Sequence, residues 1–103
     1  MKIEVLHIDE CPNWIEAGSR LQDALRITGN EGAEITFRQL RTSEEAARVP
    51  FAGSPTITCD GVDLFPAEGR TTDLACRIYF MPNGLAGLPS TAQLVEAIGA
   101  HGY

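Results

Sequence analysis

The sequence lacks long hydrophobic runs and has few basic residues. No apolar stretch approaches the roughly 20 residues of a membrane-spanning helix, and the first residues lack the apolar segment of a secretory signal. Eight Lys and Arg residues are scattered along the chain against 14 Asp and Glu, which gives a formal net charge of -6. We therefore expect a cytoplasmic protein with neither a membrane nor a nucleic-acid partner.

Cysteine and histidine are also scarce. The three cysteines, Cys11, Cys59 and Cys76, form no Cys-x-x-Cys pair, and the two histidines are His7 and His101. An odd number of cysteines in a reducing compartment predicts free thiols rather than a disulfide framework. The spacing argues against a structural zinc site. We expect His7 to pack on a strand and His101 to lie in an exposed tail.

The patterns that are present predict a single α/β domain over residues 1–103, of which 44% are hydrophobic. Alternating and periodic apolar residues predict the element order β-α-β-α-β-β-α. The strands are expected at residues 2–8, 33–40, 56–59 and 77–80, and the helices at 12–28, 43–49 and 91–98. Because a helix joins the first two strands, they should be parallel, in a central mixed sheet with flanking helices.

Residues 60 to 89 are the hardest to place. Asp60-Gly61 after the third strand is a strong signal for a hairpin turn. Its returning strand could be either 62–65 or 77–80, and we favour 77–80 because Pro66, Gly69 and polar residues interrupt the earlier segment. Residues 81–89 then form a Gly- and Pro-rich loop, and residues 99–103 a frayed tail.

The stretch Asp9-Glu10-Cys11-Pro12-Asn13-Trp14 joins the first strand to the first helix. Cys11 falls at the N-cap position and Pro12 at the first helical position, where its missing N–H costs nothing. A thiolate at this position is favoured by the helix N-terminus, whereas the charges of Asp9 and Glu10 oppose it. The pattern indicates a thiol placed for chemistry at the carboxyl end of the first strand.

The element order, Cys11-Pro12 at the start of the first helix and Gly53-Ser54-Pro55-Thr56 before the third strand together resemble the thioredoxin-like superfamily. The resemblance covers nearly the whole chain. It implies a cis peptide bond between Ser54 and Pro55, in a loop that lies beside Cys11. It also implies that backbone groups of Ser54 can pair with an extended thiol substrate.

The chain departs from the superfamily's Cys-x-x-Cys motif, because Trp14 stands at the position of the second cysteine. It is similar in this respect to monothiol, glutaredoxin-like members, and to small bacterial thioredoxin-like proteins sometimes labelled as related to organomercurial lyases. Cys76 is the candidate for a second thiol only if residues 62–75 take a path that brings it towards Cys11, because the favoured strand at 77–80 places it near Cys59 and remote from Cys11. Cys59 lies about four residues along the third strand, roughly 13 Å away, which exceeds the reach of a disulfide to Cys11.

These observations favour a thiol-dependent redox or thiol-transfer protein with Cys11 as the catalytic thiol. Pro12, Trp14, Ser54 and Pro55 would contact a thiol or disulfide substrate or partner protein, with glutathione as a co-substrate and no bound cofactor. Trp14 also begins the apolar face of the helix, which favours a role in the core. Two alternatives are a non-enzymatic binding module of the same fold and a protein that handles soft metals or organomercurials through Cys11 and Cys76.

Overall fold

A four-stranded mixed sheet organises the computed structural model, which describes residues 2–9, 11–65, 79–81 and 84–101. The strands of this sheet lie in the order β2-β1-β3-β4, and β5 and β6 form a separate two-stranded sheet. The elements along the chain are β1 (Lys2–His7), α1 (Asn13–Ile27), β2 (Glu34–Gln39), α2 (Ser43–Ala47), β3 (Thr56–Cys59), β4 (Val62–Asp63), β5 (Tyr79–Met81), β6 (Gly84–Ala86) and α3 (Thr91–Ala100).

Strand β1 is hydrogen-bonded on both of its edges. It runs parallel to β2, so that Val5 lies opposite Phe37, and antiparallel to β3, where Val5 lies opposite Ile57. The parallel pairing of the first two strands and the mixed α/β sheet are as the sequence predicts. Within the described residues, no helix is both long and apolar enough to cross a bilayer.

Alternate side chains of β1 supply two separate cores, one on each face of the sheet. Ile3 and Val5 pack against α1 and α3, together with Ile57 and Cys59 of β3. Leu6 lies in the second cluster, which the structure builds from Leu6, Ile8, Cys11, Leu40, Ala46 and Phe51. Cys11 is therefore packed on the face of the sheet that α2 covers.

Local capping signals place two of the helices. The Thr42 hydroxyl accepts a hydrogen bond from the Glu45 amide at the start of α2. Ser90 and Gln93 form a reciprocal capping box at the start of α3. Both caps satisfy amides that have no partner within their own helix. These helix starts confirm the predictions made from the sequence.

The predicted returning strand of the hairpin is wrong. Asp60 (φ 52°) and Gly61 (φ 83°) form a tight two-residue turn, and the chain returns at once as β4, where Val62 pairs with Cys59. Positive φ at both turn positions matches the twist of the two strands, so a short return costs little. Of the favoured segment 77–80, Arg77 and Ile78 lie outside the described residues, and Tyr79–Met81 pairs with Gly84–Ala86, inside the predicted loop.

Further corrections concern the limits and faces of the helices and of β2. Helix α1 begins at Asn13 with Pro12 at the N-cap, one residue later than predicted, so Cys11 precedes the N-cap and is not the helix-capping residue that the sequence predicts. Helix α3 continues through the predicted tail to Ala100. Ile15 and Ile27 of α1 are apolar side chains, yet they are 62% and 64% exposed. Phe37 is 43% exposed because β2 lies at the edge of the sheet.

Gly18 allows α1 to approach β2 closely, as its position on the apolar face of the helix suggests. A Cβ atom built at Gly18 would lie 2.7 Å from the ring of Phe37. Real side chains do not approach so closely, so glycine is required for this ring position. The aromatic ring of Phe37 therefore lies over the helix backbone and reaches Trp14.

We expect the Thr58→Val substitution to stabilise the protein by about 1 kcal/mol. The Thr58 hydroxyl is buried and has no hydrogen-bond partner among the described residues, and valine removes this polar group from a central strand. Urea unfolding of the two proteins would measure the change. Thr56→Val is the matched control, two residues earlier in β3, because its hydroxyl accepts from the Ala52 amide and donates to the Gly53 carbonyl. The control should lose about 1–3 kcal/mol; equal effects would contradict this account.

Candidate functional site

Cys11 lies between the end of β1 and the start of α1, and it is disulfide-bonded. It is 2% exposed and packs in the second core cluster, with Phe51 and Leu6 among its members. The expectation that the cysteines are free thiols is therefore wrong for Cys11. Cysteine spacing does not reveal such a bond, because folding brings together residues that are distant in the sequence. Cys76, the predicted second thiol, lies outside the described residues.

Cys59 is a free thiol, fully buried at the end of β3. It pairs with Ile3, near the start of β1, whereas Cys11 follows the other end of that strand. The predicted separation of Cys59 from Cys11, and its packing as a small apolar side chain, are confirmed. Burial, and next the charge of Asp60, raise the pKa of the Cys59 thiol.

The loop before β3 has the cis Ser54-Pro55 peptide bond that the resemblance implies. Gly53 takes a φ of 109°, a conformation open mainly to glycine. The Thr56 hydroxyl closes the loop on itself, donating to the Gly53 carbonyl and accepting from the Ala52 amide. The Thr56 side chain therefore stabilises the turn that contains the cis bond.

Two hydrogen bonds attach this cis-proline loop, residues 53–56, to its surroundings. The Ile8 amide donates to Oγ of Ser54 across 3.0 Å, and the Tyr79 hydroxyl donates to the Pro55 carbonyl. Because Ile8 directly follows β1 and belongs to the same cluster as Cys11, the loop and the disulfide lie at the same end of the sheet. Ser54 and Pro55 are both buried.

Trp14, at the position of a second active-site cysteine, packs in an aromatic group instead. Its ring stacks on His7 with centroids 4.1 Å apart and an angle of 16° between planes. It also meets Phe37 edge-on, with centroids 5.6 Å apart. Trp14 is half-buried against the first core cluster. These contacts give it the core role that its place on the helix suggested.

His7 packs on β1 as predicted, on the face occupied by Trp14 rather than in the cluster that contains Cys11. It is 6% exposed, and within the part of the chain that the structure describes its Nδ1 atom has no hydrogen-bond partner. Burial lowers the pKa of His7, while the backbone of Ile8 and the charge of Asp9 act in the opposite direction. The buried, neutral imidazole of His7 thus packs against the ring of Trp14, three residues after Cys11.

The sequence did not identify two residues that shape the site. Tyr79 anchors the cis-proline loop through its hydroxyl, but the apolar run around it was interpreted as a hairpin strand. Thr56 was interpreted only as a β-prone residue, although threonine directly after Ser-Pro can bond back to the loop backbone.

Pro12 caps α1 without a side-chain hydrogen bond. Glu10 lies outside the described residues.

The chain matches no protein-family model, no curated protein and no solved structure. Its function is therefore inferred from the arrangement of its own residues.

We expect the stability of the protein to rise with pH up to about 6.5, the ordinary pKa of histidine, through His7. The folded protein binds the His7 proton more weakly than the unfolded chain does, so stability is lost as pH falls below 6.5 towards the lowered pKa. His7→Phe keeps an aromatic ring on Trp14 and removes the titration. Urea unfolding between about pH 5.5 and 7.5 should show a smaller slope for the variant. Equal slopes would contradict this assignment.

Proposed function

We propose that this protein is a thiol-dependent redox or thiol-transfer protein in which Cys11 alternates between a disulfide and a free thiol. One observation carries the proposal: a disulfide-bonded cysteine, followed by proline at the start of a helix, lies at the same end of the sheet as a cis-proline loop. Open α/β sheets commonly place their sites at the carboxyl ends of strands.

The topology supports a thioredoxin-like fold as part of this proposal. A parallel β1-α1-β2 unit is followed by the antiparallel strands β3 and β4 and a final helix. The strand order β2-β1-β3-β4 places β1 inside the sheet, directly before the cysteine. The cis bond before Pro55 occurs where the resemblance requires it. The two-stranded sheet of β5 and β6 is an addition to this plan.

We take Cys76 as the second sulfur of the redox pair. The chain has three cysteines, Cys11 is bonded, and Cys59 is free, which leaves Cys76 as the one partner the sequence offers. Cys76, although distant in the sequence, would then act as the resolving cysteine, because Trp14 occupies the position where that cysteine stands in a Cys-x-x-Cys motif. The protein would then be a two-cysteine exchanger rather than the monothiol that the local motif suggests.

The chemistry is thiol–disulfide exchange, in which two electrons pass between the cysteine pair and two external thiols, for example two molecules of glutathione. An external thiolate attacks one sulfur of the protein disulfide, forming a mixed disulfide and releasing the other sulfur as a thiolate. A second external thiolate attacks the mixed disulfide and leaves with the first as a new disulfide. The protein keeps two reduced sulfurs, which take up protons from solvent.

The surroundings of Cys11 favour the oxidised state. Leu6, Ile8 and Phe51 in its cluster are apolar, and such surroundings penalise a charged thiolate. A disulfide carries no charge and bears no such penalty. We therefore propose that the pair is a stable disulfide whose reduced form is a comparatively strong reductant.

A binding module that uses Trp14, Ser54 and Pro55 as its contact surface is less well supported. Ser54 and Pro55 are buried, and Trp14 is engaged with His7 and Phe37. A soft-metal site on Cys11 is likewise disfavoured in the oxidised protein, because a disulfide sulfur is not the thiolate that such metals bind. Thiol exchange uses the bond that the structure contains.

Glutathione trapping in the Cys76→Ser variant tests the proposal. Removing the partner leaves Cys11 as a thiol, and its thiolate should attack oxidised glutathione, retaining one glutathionyl group and releasing reduced glutathione. Mass spectrometry of the folded protein and its peptides should place one adduct on Cys11. Cys59 provides an internal control, because it is a free thiol at the opposite end of the sheet from the cis-proline loop and should stay unmodified.

The Cys11→Ser/Cys76→Ser variant is the matched control and should carry no adduct. Absence of an adduct on Cys11 in a folded Cys76→Ser protein would contradict the proposed exchange. Labelling of Cys59 at the same rate as Cys11 would show that the site confers no particular reactivity, with the same consequence.

A further inference from the structure

A second group of chemically capable side chains lies at the other end of the sheet. Sγ of Cys59, a carboxylate oxygen of Asp60 and a ring nitrogen of His101 all lie within 4.8 Å of one another. Cys59 is fully buried, His101 is half-buried, and Asp60 is exposed. The group thus extends from the core to the surface. Core packing fixes Sγ of Cys59, whereas the carboxylate of Asp60 is accessible to solvent.

Three separate elements bring these donors together. Cys59 is the last residue of β3, and Asp60 occupies the first position of the hairpin turn with φ 52°. His101 caps the C-terminus of α3, where its amide donates to the Ala97 carbonyl. Ile98, one turn earlier in α3, belongs to the same core cluster as Cys59. The packing of α3 on the sheet therefore determines where the imidazole lies.

Asp60 is held in place by the start of β1. The Lys2 amide donates to Oδ1 of Asp60 across 2.8 Å, and the Asp60 amide donates to the Lys2 carbonyl across 2.8 Å. Oδ2, the other oxygen, lies 4.0 Å from Sγ of Cys59. Carboxylates that bind metals in proteins are usually oriented by a hydrogen bond of their own, and the Lys2 amide supplies one to Asp60.

The donor set indicates which cations fit. Sulfur, imidazole nitrogen and carboxylate oxygen together suit Zn²⁺ and similar borderline metals, whereas Mg²⁺ and Ca²⁺ prefer oxygen alone. Tetrahedral zinc with bonds of about 2.0–2.3 Å holds its donors roughly 3.3–3.8 Å apart. The three donors lie within 4.8 Å of one another, so a small closing movement on metal binding would bring them to this spacing. Three protein ligands leave the fourth position for water, as in zinc sites that act on substrates.

We propose that Cys59, Asp60 and His101 form a binding site for one Zn²⁺ ion. On binding, the Cys59 thiol releases its proton to solvent and the sulfur forms a bond to the metal, with the Asp60 carboxylate and the His101 imidazole as the other ligands. The metal then links the hairpin turn to the last turn of α3. The site shares no residue with Cys11 or the cis-proline loop and does not depend on the redox proposal.

Co²⁺ is a suitable probe, because a thiolate bound to it gives a charge-transfer absorption in the near ultraviolet. The oxidised full chain should bind one Co²⁺ with this absorption, and one Zn²⁺ should displace it. Asp60→Asn and His101→Ala should each weaken Zn²⁺ binding by at least about tenfold in competition titrations. Asparagine tolerates the left-handed turn position and keeps the acceptor for the Lys2 amide, so Asp60→Asn preserves the fold.

Two controls separate this site from others. Glu96→Gln changes one exposed carboxylate on α3 and should leave the Zn²⁺ affinity unchanged. The Cys11→Ser/Cys76→Ser variant has Cys59 as its only cysteine and should keep the absorption, whether or not the redox proposal holds.

Cys59→Ser should lose the absorption. If that variant does not fold, His101→Ala decides the matter, because His101 lies at the end of its helix, outside the core clusters. No absorption at stoichiometric Co²⁺, an absorption that persists in folded Cys59→Ser, or equal Zn²⁺ affinity for His101→Ala and the unmodified protein would overturn the proposal.

Discussion

The pairing of β1 on both of its edges is the constraint on which the rest of the structure depends. Because β2 and β3 satisfy its backbone groups, β1 can lie in the interior, and its alternate side chains can enter two different cores. One core contains α1 and α3, and the other contains α2 and Cys11. Loss of either pairing would leave backbone N–H and C=O groups of β1 without hydrogen-bond partners between two apolar cores. The pairing of β1 therefore stabilises both cores.

Hydrogen bonds connect each end of β1 to residues that lie directly before or after β3 in the chain. At the carboxyl end, the Ile8 amide is bound to Ser54 of the cis-proline loop. At the other end, Lys2 and Asp60 exchange two hydrogen bonds at the hairpin turn. The two proposed sites lie at these two ends of β1. The antiparallel pairing of β1 with β3 therefore determines where the residues of both proposed sites lie.

What the sequence could predict was local. The caps of α2 and α3 and the hairpin turn each depend on a few neighbouring residues, and the parallel pairing of β1 and β2 follows from the single helix that joins them; all were confirmed. Burial was predicted less well: Ile15 is apolar, but no element within the described residues covers it, and it is 62% exposed. The bond at Cys11 and the approach of His101 to Cys59 join distant parts of the chain, and no local pattern encodes them.

Whether the Cys11 disulfide is an exchanging pair or a permanent cross-link is decided most directly by its reduction potential. Equilibration of the full chain in redox buffers of known potential, with alkylation and mass spectrometry to follow Cys11, would measure it. We predict about −270 to −200 mV, the range of thioredoxin and glutaredoxins, at its reducing side because of the apolar surroundings. A value below about −300 mV, typical of structural disulfides, would contradict the account.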